Sequence, residues 1–135
     1  MSEYLKKYLE SINFQKQLND IERKYKNKRI LIYGTGLLFS TIVENYDISK
    51  LNIIGVSDRK YDNCHEGKSC HGYKIVHFSK IKEQNPECIL ISVFHFLPVL
   101  YNFKNKFFKN TKIKIIPFAD KSFLAILREI WSTCV

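Results

Sequence analysis

The sequence predicts an α/β protein. The expected sheet has five parallel strands in the order 3-2-1-4-5, counted along the chain, in a three-layer sandwich with extra helices at the N- and C-terminal ends. Three observations predict it. Short apolar runs without polar alternation recur, most plainly at 30–33 and 88–94, and such runs suit strands covered on both faces. Segments of helical period separate the runs, which implies parallel strands joined by right-handed crossovers. The first run leads straight into Gly34-Thr35-Gly36 and then Leu37-Leu38, a strand, a glycine turn and a helix start.

Residues 2–28 read as two helical pieces. Leu5, Tyr8, Leu9 and Ile12 form one apolar stripe, Phe14, Leu18, Ile21 and Tyr25 another, and Asn13 is the break or cap between them. The expected strands follow at about 29–33, 52–57, 73–76, 88–94 and 112–117. The first crossover helix spans 37–46, and a polar loop covers 58–71. Ser79 is an N-cap for a short helix ending before Pro86, and Pro98 suits the first turn of the next helix, to about 110. Asp120 caps a last helix with Phe123, Leu124, Leu127, Ile130 and Trp131 on one face. The organisation is a helical extension over 1–27, a nucleotide-binding-type domain over 28–118, and a C-terminal helix of the same domain over 119–135.

The glycine turn carries the chemistry. Gly34 lets the chain turn tightly at the strand's carboxyl end. Gly36 lets a phosphate approach the backbone, where the following helix offers free N–H groups and the positive end of its dipole. The dinucleotide fingerprint asks for a third glycine where Phe39 stands, so the helix is pushed out or Phe39 points elsewhere. Asp58 closes the second strand about twenty residues on, where such folds hold ribose hydroxyls; its ordinary use is to cap a turn. Arg59 and Lys60 follow and suit a phosphate or plain solvation. Ser92 and His95 come late in strand four, beside strand one, and so belong to the same crevice. His95, within Val-Phe-His-Phe-Leu, reads as a buried, hydrogen-bonded histidine rather than a catalytic one.

Composition narrows the classes. The chain has 135 residues, enough for one domain, with 45% hydrophobic residues to fill a core. No apolar run approaches a membrane span and no leader pattern appears, so the expectation is a cytoplasmic protein. The net charge of +9 favours an acidic partner. Lys104, Lys106, Lys109, Lys112 and Lys114 interleave with Phe103, Phe107 and Phe108. Val99, Phe103 and Phe107 keep helical spacing toward a core, and the lysines form the wet face, so nucleic acid is not the expected partner. Cys64, Cys70, Cys88 and Cys134 lack scaffold spacing and read as reduced thiols. Cys64-His65 and Cys70-His71 have the composition of a zinc site, but adjacent side chains point apart; no metal site is expected.

The stretches KRILIYGTGLLFS (28–40), LNIIGVSDRKY (51–61), GYKIV (72–76) and PECILISVF (86–94) resemble the Rossmann-like domain that precedes the hexapeptide-repeat part of bacterial sugar O- and N-acyltransferases. Similar NAD(P)-binding-like or CoA-binding-like domains accompany other enzymes of surface-polysaccharide biosynthesis. The resemblance covers roughly 28–117. It implies a pocket for a nucleotide sugar lined by Gly34, Thr35, Gly36 and Asp58. Leu37, Leu38 and Phe39 are bulkier than the family's turn, and no hexapeptide repeats are present, so no catalytic residue is assigned. The leading expectation is a stand-alone nucleotide or nucleotide-sugar binding module of bacterial polysaccharide sugar modification, its site comprising Gly34, Thr35, Gly36, Asp58, Arg59, Ser92 and His95. The ligand is a phosphate-containing small molecule: a nucleotide, a nucleotide sugar or NAD(P). The alternatives are a small NAD(P)-dependent oxidoreductase, a methyltransferase, and a non-catalytic interaction or oligomerisation domain with a degenerate pocket. A terminal helix is expected to form a homodimer or to dock on a polysaccharide-pathway enzyme, the competing reading being that both terminal segments fold back over the sheet.

Overall fold

In the computed structural model of the protein, residues 2–61 and 67–120 are described. The expected last helix, Cys64, His65 and Cys134 lie outside them. Two helices open the chain, α1 (Ser2–Ser11) and α2 (Phe14–Lys24). Asn13 separates them in a left-handed conformation, φ 52°, and holds the N-cap position of α2 through its carbonyl, which accepts the Lys16 N–H at 3.1 Å, without a side-chain cap bond.

Four strands make the parallel sheet: β1 (Ile30–Tyr33), β2 (Ile53–Ser57), β5 (Cys88–Ile91) and β6 (Lys114–Pro117), in the order β2-β1-β5-β6. Helix α3 (Leu37–Asn45) connects β1 to β2. Beyond β2, the segment expected as a fifth strand over 73–76 contributes less. It forms a two-residue antiparallel pair, β3 (Ser69–Cys70) with β4 (Tyr73–Lys74), and one parallel bridge between Val56 and Ile75. The approach there is close: a Cβ on Gly55 would lie 2.7 Å from Val76 Cγ2 and 3.1 Å from the Lys74 carbonyl oxygen, so only glycine fits.

Alternation along the strands sends side chains to two cores. Ile30, Ile32, Val56, Cys88 and Leu90 meet Leu9, Phe14 and Leu18 of the N-terminal helices and Phe39 and Ile42 of α3. Leu31, Ile89, Ile91 and Ile115 meet Ile81, Phe103 and Phe108 on the opposite face. The apolar stripes of α1 and α2 are thus spent on the sheet of their own chain. Gln17 of α2, 9% exposed, holds the last described residue: its amide donates to the Asp120 carbonyl at 3.2 Å and accepts from the Asp120 N–H at 2.7 Å.

Three local expectations change. The segment after Val76 forms two short 3₁₀ turns, Phe78–Lys80 and Lys82–Gln84, and the imidazole of His77, not Ser79, caps the first by accepting the Ser79 N–H. Helix α4 (Leu97–Asn102) carries Pro98 in its first turn as expected but widens into a π-helical turn over Phe103–Phe107, in which the Phe108 N–H bonds the Phe103 carbonyl at 2.9 Å. The wider turn inserts one residue into the helical register. Phe108 therefore reaches the core, and Phe107, expected there, is 44% exposed. Finally, β5 ends at Ile91; the chain bends through 94–95, Phe96 takes the buried place, and His95 is exposed.

Candidate functional site

The site forms where the strand order reverses, at the carboxyl ends of β1 and β5. Gly34 leaves β1 with φ +105°, a conformation that costs little only for glycine. Its N–H bonds the Ser57 carbonyl at 2.8 Å, and a Cβ there would lie 2.8 Å from Val93 Cγ2. Ser92, 2% exposed, donates its hydroxyl to the Gly34 carbonyl and ties the turn to the end of β5.

Thr35 is the hub. Its N–H donates to Asp58 Oδ2 at 2.6 Å, and its hydroxyl lies 2.8 Å from the Tyr61 oxygen and 3.3 Å from the same carboxylate oxygen. The second carboxylate oxygen of Asp58 accepts the Lys60 N–H at 3.1 Å, a turn-closing use of aspartate. Asp58 thus caps its own turn and clamps the glycine turn at once. Burial pushes the Tyr61 phenol up to about 12; the Thr35 hydroxyl opposes this, and hydrogen bonding with Cys70 adds to it. Tyr61 is accordingly a neutral hydrogen-bonding link at ordinary pH.

The open side of the turn is different in character. Gly36 is exposed, and a Cβ built on it would meet nothing within 4 Å. It stands at the N-terminus of α3, whose first N–H groups have no intrahelical acceptor. The Lys60 ammonium lies 3.0 Å from the Thr35 carbonyl next to it. Phe39, in the place of the third fingerprint glycine, is fully buried, and its ring meets His71 at 5.7 Å and Tyr73 at 6.4 Å. It points toward the β3–β4 hairpin.

The structure therefore brings Gly34, Thr35, Gly36, Asp58 and Ser92 together. Arg59 and His95 are exposed, and His95 packs its ring against Phe94 at 5.0 Å. Lys60 and Tyr61 join the cluster more closely than Arg59 does. An aromatic residue in a polar loop gave no signal of this role. Cys70 and Cys88 are free thiols, and His71 shares a hydrogen bond with the Ser40 hydroxyl at 3.1 Å. Among the described residues no group of His, Cys, Asp or Glu is placed to hold a metal. No helix among them is long and apolar enough to cross a membrane.

The fold and site define a small α/β domain built on a parallel sheet with a glycine turn at its switch point. Residues 26–113, more than half of the chain, match the family described as C2185-like, N-terminal, and the chain belongs to that family. No curated protein and no solved structure matches it.

Proposed function

We propose that the chain is a nucleotide- or nucleotide-sugar-binding module that serves surface-polysaccharide sugar modification in the cytoplasm without carrying the catalysis itself. One observation carries the reading: exposed Gly36 at the start of α3, with open space above it and the Lys60 ammonium 3.0 Å from the neighbouring Thr35 carbonyl. A phosphate seated there would meet a helix N-terminus and a lysine together. On this reading the Val56–Ile75 bridge is a rudimentary fifth strand. The order becomes the 3-2-1-4-5 of a Rossmann-like domain, like the one in bacterial sugar acyltransferases, and the ligand occupies the crevice where that order reverses. Asp58 is the ribose-binding acid, Ser92 supports the turn beneath the ligand, and exposed Arg59 and His95 supply outer contacts.

A thermal-shift panel of NAD, NADP, coenzyme A, S-adenosylmethionine and UDP-sugars tests it. A ligand at a hundredfold its dissociation constant stabilises the fold by about 2.7 kcal/mol. Gly36→Val places a branched side chain where the phosphate would lie and removes that shift; an equal shift in the variant refutes docking at Gly36. One observation favours a second reading, an interaction domain with a degenerate pocket: both Asp58 oxygens already have partners within the chain. It takes precedence if no ligand of the panel moves the transition and the chain sediments as a dimer.

A further inference from the structure

A second feature lies at the opposite, amino end of the sheet. A groove of about 870 Å³ runs along the outer edge of β6, which no other strand among the described residues pairs with, and is lined by the six consecutive residues 111–116. A strand of that length spans about 20 Å. Lys24, Lys28, Lys104, Lys109, Lys112 and Lys114 surround it, and among the described residues the only acid in its lining is Glu87. Glu87 pairs with Lys28 at 3.4 Å, so the excess positive charge rests on the other five lysines.

The backbone along this edge is ordered for pairing. The Lys114 N–H bonds the Glu87 carbonyl and the Phe118 N–H bonds the Ile91 carbonyl. By alternation the main-chain groups of 114, 116 and 118 turn toward β5, and those of 113, 115 and 117 turn outward. The Ile113 carbonyl and the Ile115 N–H and carbonyl therefore turn away from β5 toward the groove, with Ile115 as a whole 4% exposed, whereas Pro117 has no N–H to offer. Pairing is confined to the lysine-rich half of the strand.

We propose that this edge binds an acidic, extended peptide segment of a partner protein, which adds to the sheet beside β6. Strand addition takes its affinity from main-chain bonds and its specificity from side chains on alternate faces. Both faces are basic here. Lys24 and Lys28 belong to the layer of α2 and Lys104 and Lys109 to the layer of α4, so the preferred peptide carries consecutive acids instead of alternating ones. Single-stranded nucleic acid fits less well. It needs open aromatic rings for stacking, and the groove's rings, Tyr25 and Phe108, are 8% and 4% exposed.

The test is fluorescence anisotropy with a labelled glutamate-rich octapeptide, the same peptide N-methylated at alternate amides, and an oligouridylate of equal charge, all at low salt. The acidic peptide is expected to bind, the N-methylated form about tenfold more weakly, and the oligouridylate more weakly than the peptide. Lys104→Glu with Lys112→Glu, both at exposed positions, should also lower peptide affinity at least about tenfold while leaving the far-UV circular dichroism unchanged. Equal binding of the two peptides overturns strand addition, and this comparison needs no variant. Tighter binding of the oligouridylate, no binding of the peptide, or charge reversals without effect overturn the acidic-peptide assignment.

Discussion

The Asp58 carboxylate holds the Thr35 N–H at 2.6 Å across 23 residues of sequence, joining the end of β2 to the turn that follows β1. Charge-assisted bonds of this kind contribute about 1.5–3 kcal/mol. Asp58→Ala is expected to destabilise the fold by that amount in urea denaturation. Asp58→Asn, which keeps one acceptor oxygen, should lose less. If both variants melt like the parent, the clamp does not hold the turn.

The two glycines of the turn should respond unequally to alanine. Gly34 combines φ +105° with a Cβ position 2.8 Å from Val93 and 3.1 Å from the Ser92 main chain. Gly34→Ala should therefore cost about 1–3 kcal/mol. Gly36 has ordinary extended backbone, φ −82°, and open space, so Gly36→Ala should cost less than about 1 kcal/mol. Chemical denaturation of the pair checks the ranking; equal losses would contradict it.

These two results bear on what was legible in the sequence. The unbroken apolar runs at β1 and β5 and the Gly34–Gly36 turn marked the sheet and its switch point, because burial on both faces and a tight turn each demand particular residue types. The convergence of Gly34, Thr35, Gly36, Asp58 and Ser92 followed from where parallel strands end. The single bridge beyond β2, in place of an expected strand, did not show, because Tyr73–Val76 has the composition of a strand while its pairing depends on the close approach of Gly55 to Val76. The exposure of His95 is not legible because the apolar run continues past Ile91, where β5 ends, and no local pattern distinguishes Phe94 from Phe96 as the residue that turns inward. The roles of Tyr61 and Gln17 rest on partners 26 and 103 residues away, beyond the reach of any periodicity.

Cys88 gives a pH-dependent prediction. Burial raises its thiol from 9.0 to about 12, so the folded chain keeps the proton that the unfolded chain releases. Its contribution to stability is complete below pH 9 and is lost as the pH rises from about 9 toward 12, by at most about 1.4 kcal/mol per pH unit. In a variant whose sole cysteine is Cys88, a disulfide reagent at pH 8 should react at least about a hundredfold more slowly in buffer than in urea. Comparable rates would show that Cys88 opens to solvent in the native state.

Gln17 should tolerate no change of its amide. Gln17→Ala removes the bonds to Ile12 and Asp120 and should cost about 1–3 kcal/mol. Gln17→Glu keeps an acceptor for the Asp120 N–H but cannot donate to either carbonyl, and its charge is set against them. It should be no more stable than the alanine variant. Hydrogen exchange at the Asp120 amide offers the local readout: protection that survives Gln17→Ala would remove the side chain from the anchor.

The π-helical turn at Phe103–Phe107 has a consequence for how this chain can vary. It amounts to one residue of slack placed just before two adjacent phenylalanines. In the observed register Phe108 is buried and Phe107 is 44% exposed. Loss of one residue from the turn would restore ordinary α-helical spacing, and either phenylalanine offers the same ring to the core. The doubled aromatic makes the packing indifferent to a slip of one position, so small insertions and deletions can accumulate here without reaching β6. Length variation among relatives should concentrate in this turn, and a single-residue deletion at Lys104 or Asn105 should fold with little penalty.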